Sequence, residues 1–309
     1  MAYKTERKFE LWMNLWYPYE PISVGKAKPY VTGERTSNNF LLKRKKPASV
    51  VVALSGGVDS AVAAASLKMA GWEVYGLHFL LSDSLSRRDA RTAVVKRVGE
   101  HLNIPLAILD LRETFHQRVI VPFIDAYLKG LTPNPCVVCN QKIKFKYLFD
   151  YAKQHDIDSI ATGHYVRTRR KDKSEVFELL RGKDRRKDQS YFLHRLSPSI
   201  LSKAVFPLGE CTKDEVRGQA LEMMLPVHSA PESQEVCFIP ENDYRPFIES
   251  QRGPGVNEPG NIINNRGEVL GQHIGVFRYT IGQRQGLGIA SSRPYYVKEI
   301  RPGANEVVV

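Results

Sequence analysis

The 309-residue chain contains no run of eighteen apolar residues, so no membrane-spanning helix is expected. Residues 1–20 mix charges with aromatics and hold no continuous apolar stretch, so no secretory signal is expected either. Four cysteines are too few for a disulfide framework, and with no secretory signal they point to a cytoplasmic setting. The Gly-x-x-x-x-Gly-Lys of a Walker loop and the Gly-x-Gly-x-x-Gly of a dinucleotide fold are both missing, which removes the two commonest nucleotide-binding classes. There is no second Cys-x-x-Cys, no His-x-x-x-His and no internal repeat, so a self-contained zinc module and a solenoid are also disfavoured.

What is present is a globular composition, 42% hydrophobic and 25% charged, in a chain long enough for two or three packed units. The net charge of +12 is concentrated. Residues 1–47 and residues 167–187 each hold ten basic and four acidic side chains, and the rest of the chain is neutral. Local positive charge of this kind suits a polyanion, because neutralised phosphates release counterions. The same charge also aids solubility, and charge alone leaves both readings open.

Along the chain, residues 1–47 are punctuated by Pro18, Pro21, Gly25, Pro29 and Gly33 and read as an irregular basic extension. A buried strand, Val50 to Leu54, then runs into Ser55-Gly56-Gly57-Val58-Asp59-Ser60 and a small-residue helix from Ala61 to Ala70. Strand patterns at Glu73–Leu80, Leu106–Leu109 and Ser159–Thr162 alternate with helical ones at Arg87–Leu102, Thr114–Leu128 (with an irregularity at Pro122) and Lys142–His155. This alternation predicts an α/β unit over 48–205, a parallel sheet with helices on both faces. Val166–Thr168 and Val176–Leu180 read as a hairpin around a basic loop, Arg169-Arg170-Lys171. A small central domain is expected over 206–257, where Thr212-x-x-Glu215 is a capping box opening a helix to about Leu225. From 258 to 309 short strands with glycine turns predict a β-barrel, partial because about fifty residues is little for a closed one.

The chemistry concentrates in two places. Ser55 to Ser60, between a strand and a helix, is a phosphate cradle: glycines permit positive φ, backbone N–H groups converge, and the helix N-terminus favours an anion. Asp59 would repel phosphate unless a divalent cation lay between them, which implies Mg2+. The second place is Cys136-x-x-Cys139, beside Pro133 and Pro135 in a turn that holds Asn134 extended. That pair reads as a redox couple, a zinc half-site or part of an iron–sulfur ligand set, with Cys237 available as a third ligand. Cys211, beside the capping box, reads as a structural thiol.

The loop resembles that of the adenine-hydrolase-like PP-loop ATP pyrophosphatases. Within them, the chain resembles the tRNA-specific 2-thiouridylases from about Ser49 onward. The resemblance is carried by Thr132-Pro133-Asn134-Pro135-Cys136-x-x-Cys139-Asn140, Ile143-Lys144-Phe145, Ala161-Thr162-Gly163-His164-Tyr165 and Lys187-Asp188-Gln189-Ser190-Tyr191-Phe192-Leu193. Glu232-Ser233-Gln234-Glu235-Val236-Cys237-Phe238-Ile239 and Tyr279-Thr280-Ile281-Gly282-Gln283-Arg284 follow in the same order.

The resemblance implies ATP with Mg2+ bound by Ala53, Leu54, Ser55, Gly56, Gly57, Val58, Asp59, Ser60, Phe79 and Gly163. It implies Cys139 as nucleophile and Cys237 as persulfide carrier, closing a disulfide that a reductant must reopen. It places tRNA on Asn134, Pro135, Cys136, Lys187, Asp188 and Gln189, with a cysteine desulfurase or a sulfur-carrier protein as sulfur source. Phe79 stands where the family usually has methionine, and Cys136 where some relatives have aspartate. A 4Fe–4S cluster on Cys136, Cys139 and Cys237 is the alternative sulfur chemistry; persulfide transfer is the reading favoured. The segment Leu80–Asp89 departs from the family pattern, and the barrel is shorter than the family's.

Overall fold

In the computed structural model the described residues are 47–81, 85–171, 176–228 and 236–309, the side chains of 85–89 and 254 excepted. The basic extension over 1–46 and the Glu232–Glu235 part of the cysteine motif lie outside them.

Five strands form a parallel sheet in the order β3-β2-β1-β4-β7. They are β1 (Ser49–Ala53), β2 (Glu73–Leu80), β3 (Leu106–Asp110), β4 (Ser159–Ala161) and β7 (Ala204–Val205). The central strand β1 pairs with β2, Val50 opposite Val74, and with β4, Val50 opposite Ser159. Its side chains alternate between faces, and both faces are apolar because both are covered. Val50, Val52 and Leu54 pack with Ala64 and Leu67 of helix α1 (Val58–Met69). Val51 packs with Phe145 and Leu148 of a long helix on the other side. Helix α2 (Leu85–Leu102) contributes Val95 to the α1 face.

The chain leaves β1 toward β2 and β3, and later returns on its other side as β4 and β7. Between β1 and β4 the strand order therefore reverses, and the carboxyl ends flanking that crevice are where α/β sheets bind ligands. Ser55–Ser60 follows β1, and Gly163 follows β4.

Two long helices differ from the sequence reading in the same way. Helix α3 (112–128) begins two residues early, and its irregularity is a π turn at His116–Ile120 rather than at Pro122. Val121 N–H donates to the His116 carbonyl, an i to i−5 bond that precedes the proline, whose own nitrogen has no hydrogen to donate. Helix α4 (135–154) starts at the cysteine pair, so Cys136 and Cys139 occupy a helical first turn instead of an open turn. Its π turn spans Asn140–Lys144.

Strands β5 (Val166–Arg170) and β6 (Phe177–Arg181) form the expected hairpin, extended by two further register pairs, Arg169 opposite Glu178 and Arg170 opposite Phe177. Arg169 and Arg170 are strand residues, not loop residues as the sequence suggested: Arg169 lies opposite Glu178 and ion-pairs with it at 2.6 Å. Short helices α5 (Ser190–Leu193) and α6 (Pro198–Leu201) lead into β7. The capping box is real and opens helix α7 (Lys213–Glu222). Val216 and Ala220 of α7 pack on Ala61, Val62 and Ala65 of α1, whose small side chains allow the close approach.

Helix α8 (Tyr244–Arg252) and a four-stranded sheet complete the fold, with strands β8 (Gly260–Ile263), β9 (Val269–His273), β10 (Glu299–Arg301) and β11 (Glu306–Val308) in the order β10-β11-β8-β9. Ile262, Leu287, Val297 and Val307 form its core. This part docks on the end of α3: Tyr244 stacks on Tyr127 at 4.0 Å, and Thr132 donates to Thr280 at 3.2 Å.

Candidate nucleotide and thiol sites

The loop after β1 is braced by its own hydroxyls. Gly56 turns the chain at φ +82°, a conformation only glycine takes without strain. Ser60 Oγ accepts from Ser55 N–H at 3.1 Å and donates to the Gly57 carbonyl at 3.0 Å. Ser55 Oγ accepts from Gly57 N–H at 3.3 Å. On the neighbouring strand, His78 Nδ1 meets the Leu54 carbonyl at 2.7 Å, and burial lowers its affinity for a proton.

Gly163 lies hard against this loop. A Cβ there would sit 2.7 Å from the Asp59 carbonyl carbon and 2.8 Å from Ser60 N, so only glycine lets the β4 end close on the start of α1. Among the residues expected to hold nucleotide, Ser55–Ser60 and Gly163 thus converge, with Ala53 and Leu54 at the end of β1 behind them. Phe79, near the end of β2, is partly buried between the two apolar clusters around α4 and α3.

Asp59 has two partners that the sequence did not reveal. Tyr165 donates its hydroxyl to Asp59 Oδ1 at 2.8 Å, and Lys213 Nζ lies 2.6 Å from the same oxygen. A lysine opening a capped helix reads as surface in any sequence. In the structure Lys213 is 7% exposed. The cradle fits a magnesium nucleotide: backbone N–H groups and hydroxyls for phosphate, and one acidic residue for the metal.

The thiol site lies at the start of α4. Asn134 Oδ1 accepts from Cys136 N–H at 3.1 Å and from Val137 N–H at 3.3 Å, capping the helix, and Pro135 is buried in its first turn. Cys139 is buried, and that desolvation pushes its thiol up to about 12, opposed by the positive charge of Lys144. Cys136 is raised in the same way. Lys144 feels all three thiols, Cys139, Cys237 and Cys136, in return. Cys237 is exposed, and its neighbour Phe238 anchors the segment between Phe115 and Phe123 of α3 at 5.6 and 5.3 Å. Thus residues about a hundred apart in sequence are brought to one place. Among the described residues no three His, Cys, Asp or Glu side chains are arranged to hold a metal ion. Cys211 is half-buried against the α1–α7 cluster.

His164 approaches the Phe145 ring at 5.8 Å, its Nδ1 is 2.8 Å from Thr162 Oγ1, and burial pushes its imidazolium down to about 3. Of the residues expected to meet RNA, three use their side chains in internal bonds: Asn134 in the cap of α4, Asp188 and Gln189. Asp188 accepts from Gly182 N–H and the Ser190 hydroxyl, and Gln189 Oε1 accepts from Tyr165 N–H at 3.0 Å. Lys187 stands in the same turn, its N–H donating to the Asp184 carbonyl.

Two family models cover the described chain: "tRNA methyl transferase HUP domain" over residues 48–241 and "tRNA methyl transferase PRC-barrel domain" over 247–309. The chain is 45% identical to the tRNA-specific 2-thiouridylase MnmA of Carboxydothermus hydrogenoformans, over 87% of this chain and 75% of that protein. It is 45% identical to that of Geotalea uraniireducens over 87% and 74% of the two chains. To MnmA 1 of Caldanaerobacter subterraneus it is 46% identical over 84% and 74%. With family models matching residues 48–241 and 247–309 and relatives 45–46% identical over most of both chains, the chain belongs to the tRNA-specific 2-thiouridylase family.

Proposed function

We propose that the protein is an ATP-dependent tRNA sulfurtransferase that replaces the 2-oxygen of the wobble uridine with sulfur. The observation that carries this is the pairing of a phosphate cradle at the strand-order reversal with a buried cysteine, Cys139, that feels the charge of an exposed one, Cys237. Methyl transfer, the wording of the matching family models, would need neither.

ATP bound with Mg2+ supplies the leaving-group chemistry, adenylating the uridine 2-oxygen and releasing pyrophosphate. Ser55, Gly56, Gly57 and Ser60 would hold the phosphates, and Asp59 would hold the metal. Cys237, being exposed, receives sulfur as a persulfide from a cysteine desulfurase or a sulfur carrier. The terminal sulfur attacks C2 and AMP departs with the activated oxygen. The Cys139 thiolate attacks the inner sulfur of Cys237, so the sulfur leaves with its bonding electrons and a Cys139–Cys237 disulfide remains. A dithiol reductant then restores both thiols, which suits a reducing, cytoplasmic setting. Lys144 favours the Cys139 thiolate against burial. Asn134 and Pro135 fix the helix that carries Cys139, and Lys187, in the 184–189 turn, meets RNA phosphate.

The test is mass spectrometry of tRNA nucleosides after incubation with ATP, Mg2+ and a persulfide donor. 2-Thiouridine is expected with the wild type and none with Asp59→Ala or Cys139→Ser. Full thiolation by either variant would overturn the assignment.

A further inference from the structure

Lys213 is a buried cation that the reaction as written does not use. It is the first residue of α7, fixed by the Thr212–Glu215 capping box, and its N–H donates to Asp184 Oδ2 at 3.2 Å. Its Nζ crosses to the loop and binds Asp59 Oδ1 at 2.6 Å. A buried ion pair is a poor stabilising device, since an apolar side chain of the same shape often does as well. The partner chosen here is the one acidic residue of the phosphate cradle.

The geometry separates the two carboxylate oxygens. Both protein donors, Lys213 Nζ and the Tyr165 hydroxyl, reach Oδ1. The Asp59 side chain remains 34% exposed. A carboxylate gripped by one oxygen presents the other in a fixed direction, as a hard divalent cation requires. Lys213 Nζ also stands 5.8 Å from the Tyr165 ring centroid, so the two donors form one unit rather than acting independently.

We propose that Lys213 is a positioning residue for nucleotide binding: with Tyr165 it holds Asp59 by Oδ1 so that Oδ2 faces the metal of Mg2+–ATP. The proposal rests on the reading of Ser55–Ser60 as the ATP site. It gives α7 a part in the nucleotide site although none of its residues belongs to the loop.

Calorimetric titration of the full chain with α,β-methylene-ATP and Mg2+ tests it, because that analogue resists cleavage between the α and β phosphates. Lys213→Met, close in shape, is expected to weaken binding on the order of tenfold, the scale of one charge-assisted hydrogen bond. In an Asp59→Asn background the same substitution is expected to cost nothing further, because Lys213 acts through Asp59. Tyr165→Phe, which keeps the ring, is expected to lose several-fold and again only when Asp59 is present; it serves if Lys213→Met fails to fold. Wild-type affinity in Lys213→Met, or an undiminished loss in the Asp59→Asn background, overturns the proposal. A wild-type chain that does not bind the analogue overturns the reading of the loop itself, and the proposal with it.

Discussion

Cys139 and Lys144 are five residues apart, which in an unbroken α-helix sets them about 140° around the axis. The π turn over Asn140–Lys144 winds more slowly and brings the lysine toward the cysteine's side. Burial holds the Cys139 thiol at about 12, so at neutral pH only a small fraction is thiolate. The rate of Cys139 alkylation, read by mass spectrometry, should rise about tenfold per pH unit with no plateau near 9. Lys144→Met should lower it at every pH, and an unchanged rate would mean that the lysine does not serve the thiol. His164 gives a stability counterpart. Its folded value of about 3 lies below the unfolded value of about 6.5, so the unfolded chain takes up a proton that the fold refuses. Its contribution is complete above pH 6.5 and is lost as pH falls, up to about 2 kcal/mol by pH 5. Denaturant titrations should show the wild type losing more stability between pH 7 and 5 than His164→Gln.

At the scale of elements, the site is built from ends: the end of β1, the end of β4 and the starts of α1, α4 and α7. Asn134 is the cap of α4, and Asn134→Ala should cost about 1 kcal/mol in chemical denaturation, since two N–H groups lose their acceptor. What was legible in the sequence was local. Val50-Val51-Val52 followed by a glycine loop needs no partner to be read, and the Thr212–Glu215 box shows itself within four residues. What was illegible depends on distance. Lys213 reaches Asp59 across 154 positions, and nothing near it in the chain announces the pairing. The two π turns arise from how a helix closes its hydrogen bonds, and neither leaves a pattern of apolar spacing. Asp188 and Gln189, read from resemblance as RNA-binding residues, also brace the turn from inside, a use visible only once Gly182 and Tyr165 are in place.

At the scale of the whole molecule, the formal charge overstates what a polyanion meets. The basic cluster of 167–187 is threaded with acids: Arg169 binds Glu178, Arg167 binds Glu210 at 3.2 Å, and Lys183 lies 3.5 Å from Glu215. Arg169 holds the Glu178 carboxyl below the usual carboxylate range, so Glu178 stays ionised beside the arginine at neutral pH. Exposed pairs of this kind are weak and salt-screened, so RNA phosphate can displace them. Glu178 therefore attenuates the hairpin's attraction. Glu178→Gln should tighten tRNA binding, most at low salt where screening is weakest. Arg169, Arg170 and Lys171 replaced together by Ala should weaken it and flatten the plot of log affinity against log salt by roughly 0.7–0.9 for each phosphate left unneutralised. Filter binding across a salt series reads both changes in one experiment. Tighter binding by the first variant with a shallower slope in the second places the hairpin on the RNA. Unchanged affinity and slope in both would leave the cluster as a surface that keeps the protein in solution, with RNA held elsewhere.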